Sequence, residues 1–278
     1  MSILFPIIAS AIITVSQPPT GLGFSIAHQR GDEWKNESLA MLNPPVWKDW
    51  LYDHAGEPGY IPQVYGMIRW DEKAAQAARL HSGDTWILGS EPELELGTHT
   101  HPEDAAEFSR RWDSEVGGSW GAPGIILWDG GYDWLERYLA AGGIVGDHWH
   151  VHLYDVSTPD DWSHSWQRWR TWMARNGLER PTIIGETAGW DANVNQADIL
   201  DRIAETMADD PLLETVLFYS DKDYWGLWQW ADLRTDTGLT PLGQHYLAMQ
   251  AAAVPTALPV DPEPKRESHR VYLPLGVR

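Results

Sequence analysis

The sequence predicts an α/β protein, a (β/α)8 TIM barrel forming a single domain, and three observations predict it. Apolar, β-branched runs alternate with helix-patterned stretches along the body. Eight strand candidates can be read, most of them followed by a helix. Repeated βα units imply a parallel sheet, and eight of them imply closure. The length of 278 residues fits one such domain, which typically needs about 250. Finally, Trp86-Ile87-Leu88-Gly89-Ser90-Glu91-Pro92 and Pro181-Thr182-Ile183-Ile184-Gly185-Glu186 are two strand-like runs that each end in a glutamate. The C-terminal ends of the strands are where a barrel keeps its chemistry.

Taken in order, residues 23–27 read as the first strand, 46–51 as the second and 60–66 as the third. A helix over 71–80 leads to the strand at 86–88. Thr100 is the expected N-cap of the next helix, with Glu103 three residues on and Pro102 tolerated in the first turn. A strand at 124–128, a helix at 133–141 and a strand at 148–154 follow. Trp162, Trp166, Trp169 and Met173 then recur at helical spacing, which predicts a helix face packed on the barrel. A strand at 182–184, a helix at 196–207, a strand at 215–219 and a helix at 240–251 complete the pattern. The barrel domain is therefore placed at residues 21–251.

The two ends differ from this body. Residues 1–20 hold an apolar stretch that resembles a signal-peptide core, although it lacks a preceding basic residue and is interrupted by Pro6. That segment is too short for a stable transmembrane helix, and secretion is the expectation it supports. Residues 252–278 carry Pro255, Pro259, Pro262 and Pro264 among small and charged residues, a linker-like tail.

The formal net charge is −20. It argues against nucleic acid or an anionic membrane as partner, because phosphate would be repelled. A neutral oligo- or polysaccharide suits such a surface, and the 18 Trp point the same way, since indole faces stack on sugar C–H surfaces. With no Cys in the chain, disulfides and thiolate catalysis are excluded. A monomer is expected.

Two glutamates at strand ends are the minimal equipment for glycoside hydrolysis. One protonates the leaving oxygen while the other attacks the sugar or activates water. Glu93 and Glu95, just after Glu91, are expected to be solvated loop charges, with contacts to a sugar subsite as the alternative.

At this level the sequence resembles the clan A glycoside hydrolases, and within them the family 128 type of catalytic core, which is associated with β-1,3-glucan cleavage. The resemblance runs through Tyr60-Ile61-Pro62-Gln63-Val64-Tyr65-Gly66, Leu88-Gly89-Ser90-Glu91-Pro92-Glu93, His101-Pro102-Glu103-Asp104-Ala105-Ala106, His152-Leu153-Tyr154 preceded by Asp147, and Ile184-Gly185-Glu186-Thr187-Ala188-Gly189. It implies Glu91 as general acid/base, Glu186 as nucleophile, Tyr154 as hydrogen-bond donor to the nucleophile, and His152 as lining of the sugar site. Tyr65 is expected to face the cleft, and Asp49 to reach substrate from Val46-Trp47-Lys48-Asp49-Trp50. Ser90 stands where the clan usually has Asn, which binds the sugar 2-hydroxyl. Trp225, Trp228 and Trp230, past the last strand, are candidate sugar platforms. The implied mechanism is retaining, with carboxyls about 5–5.5 Å apart and no cofactor.

Three rival readings stay open. A non-catalytic carbohydrate-binding protein on a hydrolase barrel would keep the Trp platforms and lack turnover. A transglycosylase would need a cleft that keeps water from the intermediate. A metal-dependent hydrolase would use His148, His150 and His152, which period two points to one side of a strand.

Overall fold

The computed structural model describes residues 21–253, apart from Leu96, Asp155, Tyr224, Trp225 and Leu227. The N-terminal segment at 1–20, nearly all of the tail at 252–278, and Trp225 therefore lie outside the described residues.

Eight parallel strands form the barrel, and seven α-helices accompany them among the described residues. In chain order these are β1 (Gly21–Ser25), α1 (Gly31–Leu42), β2 (Trp47–Lys48), β3 (Gln63–Val64), α2 (Glu72–Leu80), β4 (Thr85–Leu88), α3 (Pro102–Glu115), β5 (Ser119–Ile126), α4 (Asp129–Ala140), β6 (His148–Leu153), α5 (Pro159–Asn176), β7 (Thr182–Thr187), α6 (Gln196–Asp209), β8 (Leu213–Phe218) and α7 (Pro241–Ala253). Each strand pairs with its sequence neighbour and β1 pairs with β8. The ring closes between β2 and β3 through a single parallel bridge, Trp47 to Tyr60. There Trp47 N–H donates to the Gly59 carbonyl and Ile61 N–H to that of Trp47, both at 2.8 Å. None of the described helices is long and apolar enough to cross a membrane.

The Trp-rich stripe packs as expected. Trp162, Trp166, Trp169 and Met173 form the buried face of α5, and the indoles of Trp162 and Trp169 donate to the hydroxyls of Thr187 and Thr182 at 3.1 and 3.2 Å. Each indole removes about 150–250 Å² from water. Truncating one to Ala should cost about 3–5 kcal/mol. These Trp residues are core rather than sugar platforms. Val46, Ile61, Ile87, Ile183 and Leu217, from five different strand segments, form a separate apolar layer inside the barrel.

Several local expectations change. Helix α1 is absent from the sequence reading because its buried stripe, Trp34, Lys35, Ser38 and Leu42, is half polar. The second and third strands shrink to two residues each, since the ladder there is little more than the closing bridge. Strand β5 starts at Ser119 rather than near residue 124. Its early part carries Gly121, Pro123 and Gly124, weak strand formers that the structure accommodates with a register shift between Pro123 and Ile125. His101, not Thr100, occupies the N-cap position of α3. The Thr100 hydroxyl instead meets that of Thr98 at 3.1 Å.

Candidate active site

The loop after β4 has to deliver a carboxylate over the barrel mouth within three residues. Gly89 makes the turn at φ +81°, and a Cβ there would lie 2.1 Å from the Pro123 carbonyl oxygen, so only glycine fits. Glu91 itself adopts φ +49°, a left-handed conformation that non-glycine residues rarely take. Its N–H donates to the Gly124 carbonyl at 2.8 Å, which holds the strained residue in place.

Glu186 is the next-to-last residue of β7 and is buried. The glycine before it is also required. A Cβ on Gly185 would lie 2.2 Å from His150 Nε2 and 3.3 Å from His152 Nε2, so its absence makes room for the two imidazoles of β6.

Three donors converge on Glu186. Lys48 Nζ and Trp50 Nε1 donate to Oε1 at 2.9 and 2.6 Å, and Tyr154 OH donates to Oε2 at 2.8 Å. Lys48 is fully buried and also donates to Gln63 Oε1 at 3.0 Å, while Gln63 Nε2 donates to the Gly89 carbonyl at 2.8 Å. A chain of hydrogen bonds thus ties Glu186 to the turn that carries Glu91. Burial alone would push the Glu186 carboxyl up. The Lys48 ammonium, His152 and the hydrogen bonds from Lys48 and Tyr154 outweigh it and hold the group well below the usual carboxylate range. The Tyr154 phenol is pushed well above its ordinary value, first by burial and then by the charges of Glu186 and Glu91, so it stays a donor.

Glu91 has a different setting. Its Oε1 lies 3.1 Å from His152 Nδ1, and the same nitrogen is 3.9 Å from Glu186 Oε2. Oxygens of the two carboxylates approach within 4.8 Å. Above them lies a cleft of about 700 Å³ lined by Ser90, Glu91, Tyr65, Tyr154, Glu186 and Trp228 among others.

Most of the residues singled out from sequence meet here. His152 lies under the floor, in contact with Glu91, rather than on the cleft wall. Trp228 packs its ring 5.2 Å from that of Tyr154. Trp230 lies behind it, 5.6 Å from Trp228, with its indole donating to the Gly189 carbonyl at 3.2 Å.

Asp49 is not brought to the cleft. Side chains alternate along an extended segment, so Lys48 pointing at Glu186 sends Asp49 the other way. There it accepts from Tyr60 OH and from Leu51 N–H, and lies 3.7 Å from His54. Glu93 also departs from expectation. It is largely buried, accepting from Ile126 N–H at 2.7 Å and the Trp128 indole at 3.3 Å, and burial raises its carboxyl.

The histidine strand does not assemble as a metal site of its own. His148 meets the Ser119 hydroxyl at 3.1 Å and Glu214 at 3.0 Å. His150 is fully buried with Nδ1 3.3 Å from the Leu88 carbonyl, and burial, then His152 and Lys48, push its imidazole well down, keeping it neutral. Among the described residues, the group close enough to share a cation is Glu91, His152 and Glu186.

Sequence reasoning missed Lys48, Trp50, Gln63 and Trp190. The last is an exposed indole on the cleft wall just past β7. A buried Lys in a strand run is a signal in itself, because an ammonium is buried only with a partner.

No protein-family model and no curated protein matches this sequence. Solved structures do match. The barrel resembles those of family 128 glycoside hydrolases. A subgroup I endo-β-1,3-glucanase from Amycolatopsis mediterranei, solved as a mutant in complex with laminaripentaose, superposes with a TM-score of 0.65 at 20% identity, over 82% of this chain and 99% of that one. A subgroup II endo-β-1,3-glucanase from Pseudomonas viridiflava gives 0.61 at 20% identity, over 84% and 98%. A subgroup VI exo-β-1,3-glucanase from Aureobasidium namibiae gives 0.65 at 16%, over 81% and 94%. At these identities the likeness is one of fold, and it agrees with the barrel expected from sequence.

Proposed function

We propose that this chain is a retaining glycoside hydrolase of clan A type that cleaves β-1,3-glucan in an endo manner. The observation that carries the reading is the pair of carboxylates. Glu186 is held as an anion by Lys48, Trp50 and Tyr154, and its oxygens come within 4.8 Å of those of Glu91. An oxygen-to-oxygen approach of this size suits direct attack, for which the two carboxyl groups typically lie about 5–5.5 Å apart. The fold shared with β-1,3-glucanases supports the choice of glucan. The open, aromatic-walled cleft supports endo action.

In this mechanism Glu91 donates its proton to the glycosidic oxygen as that bond breaks, and Glu186 attacks the anomeric carbon to form a glycosyl ester. Glu91, now a carboxylate, takes a proton from water, which displaces Glu186 with a second inversion. His152, beside Glu91, orients its carboxyl. Ser90 lines the cleft where the clan's Asn would reach the 2-hydroxyl, and its shorter side chain makes that contact through water.

The test is reducing-end release from a panel of neutral β-glucans, with NMR of the anomer formed first. Wild type should cleave β-1,3-glucan and release the β-anomer. Glu186→Gln should lower kcat by on the order of 10⁵-fold, and Glu91→Gln by about 10²–10⁴-fold. Release of the α-anomer first would overturn retention. Binding without cleavage across the panel would favour the carbohydrate-binding alternative.

A further inference from the structure

Trp128 stands outside everything assigned so far. It follows β5 and occupies the N-cap position of α4, whose buried face is made by Tyr132, Trp134, Leu135 and Tyr138. Trp128 shares none of that burial and is 43% exposed. Yet it is not loosely held. Its indole N–H meets Glu93 Oε1 at 3.3 Å, and the same oxygen accepts from Ile126 N–H at 2.7 Å. Its ring rests against the start of α4, where a Cβ on Gly130 or Gly131 would come within 3.1 Å of ring atoms. Glycine at both places gives the ring a flat seat. An exposed indole with its polar edge anchored and one side seated is a surface prepared for an apolar face.

What it faces follows from its neighbours. Ile126, which shares the Glu93 oxygen with Trp128, and Leu94, next to Glu93, both line the cleft. Trp128 therefore stands beside the cleft residues of the Glu91 loop, while Lys48, Trp50 and Tyr154 gather on Glu186. The acid/base carboxyl protonates the departing oxygen, so its side of the cleft is the leaving-group side.

We propose that Trp128 is a stacking platform for a sugar residue of the leaving glucan segment, beyond the bond cleaved, with Glu93 as the residue that positions its indole. The inference rests on the glycanase reading above. Large aromatic anchors of this kind commonly carry more than their share of binding energy.

The experiment compares wild type, Trp128→Ala and Trp128→Phe on β-1,3-gluco-oligosaccharides of increasing length, reading kcat/KM and the position of cleavage. Trp128→Ala should lose about tenfold on the longest chains. The loss should shrink as chains shorten, and cleavage should shift along the chain. Trp128→Phe, which keeps a ring, should retain most of the rate and guards against a folding defect in the Ala variant. A loss equal at all lengths, or no loss, would overturn the platform while leaving the glycanase reading intact. Absence of wild-type turnover on every β-glucan would overturn that reading and the platform with it.

Discussion

The two carboxylates of the cleft sit in opposite environments. The Glu186 side chain is 6% exposed and accepts from three donors, one of them a buried ammonium, whereas that of Glu91 is 22% exposed, held by one imidazole and perched on a left-handed residue. One group is locked as an anion on a strand. The other is presented on a turn, open to the cleft. The proposed division into an acid and a nucleophile rests on that contrast between two like side chains.

The contrast can be broken most severely at Lys48. Removing one partner of a buried ion pair costs about 3–5 kcal/mol, so Lys48→Met should melt markedly lower at pH 7. The Glu186 carboxyl titrates in the folded protein below its unfolded value of about 4.3. The stability it contributes is therefore present above that value and is lost as pH falls through the folded one. The penalty of Lys48→Met should accordingly shrink in acid. The acidic limb of the kcat/KM profile should move to higher pH, because Glu186 loses the charge that holds its proton off. Adding Glu186→Gln to Lys48→Met should restore much of the stability at neutral pH. No recovery in the double variant would mean that Lys48 acts by packing alone.

Tyr154→Phe makes a narrower cut. It deletes one hydrogen bond to a charged oxygen, worth about 1.5–3 kcal/mol, and should lower kcat/KM by about 10–100-fold with KM nearly unchanged. A change confined to KM would show that the phenol serves sugar binding rather than the carboxylate.

Asp49→Asn should have the smallest effect on catalysis. Its side chain faces Tyr60 and His54, away from the cleft. We expect kcat and KM within about twofold, and a loss of about 1 kcal/mol that lowers Tm by about 2–4 °C. A large rise in KM would restore Asp49 to the substrate side.

Much of the site was legible before the fold was known, and for a local reason. Glu91 and Glu186 stand out because a charged residue closes an apolar strand run, while Tyr154 and His152 were implied by the resemblance of His152-Leu153-Tyr154 to the family 128 catalytic core. Lys48 and Trp50 were not legible. Strand β2 is two residues long, too short for a period-two reading to fix which side chains of 47–50 point toward Glu186. Glu93 looked like a loop charge because nothing in the sequence reveals the Ile126 N–H and Trp128 indole that enclose it.

By itself the sequence determined the barrel and its two strand-end glutamates, because strand and helix periodicity and the glycines before each carboxylate are properties of short segments. Only the tertiary structure decided what surrounds those carboxylates. Closing the ring at Trp47 and Tyr60 brings the β2 ammonium and indole against a glutamate of β7, and charge, burial and hydrogen bonding at a carboxyl depend on neighbours that distant parts of the chain supply.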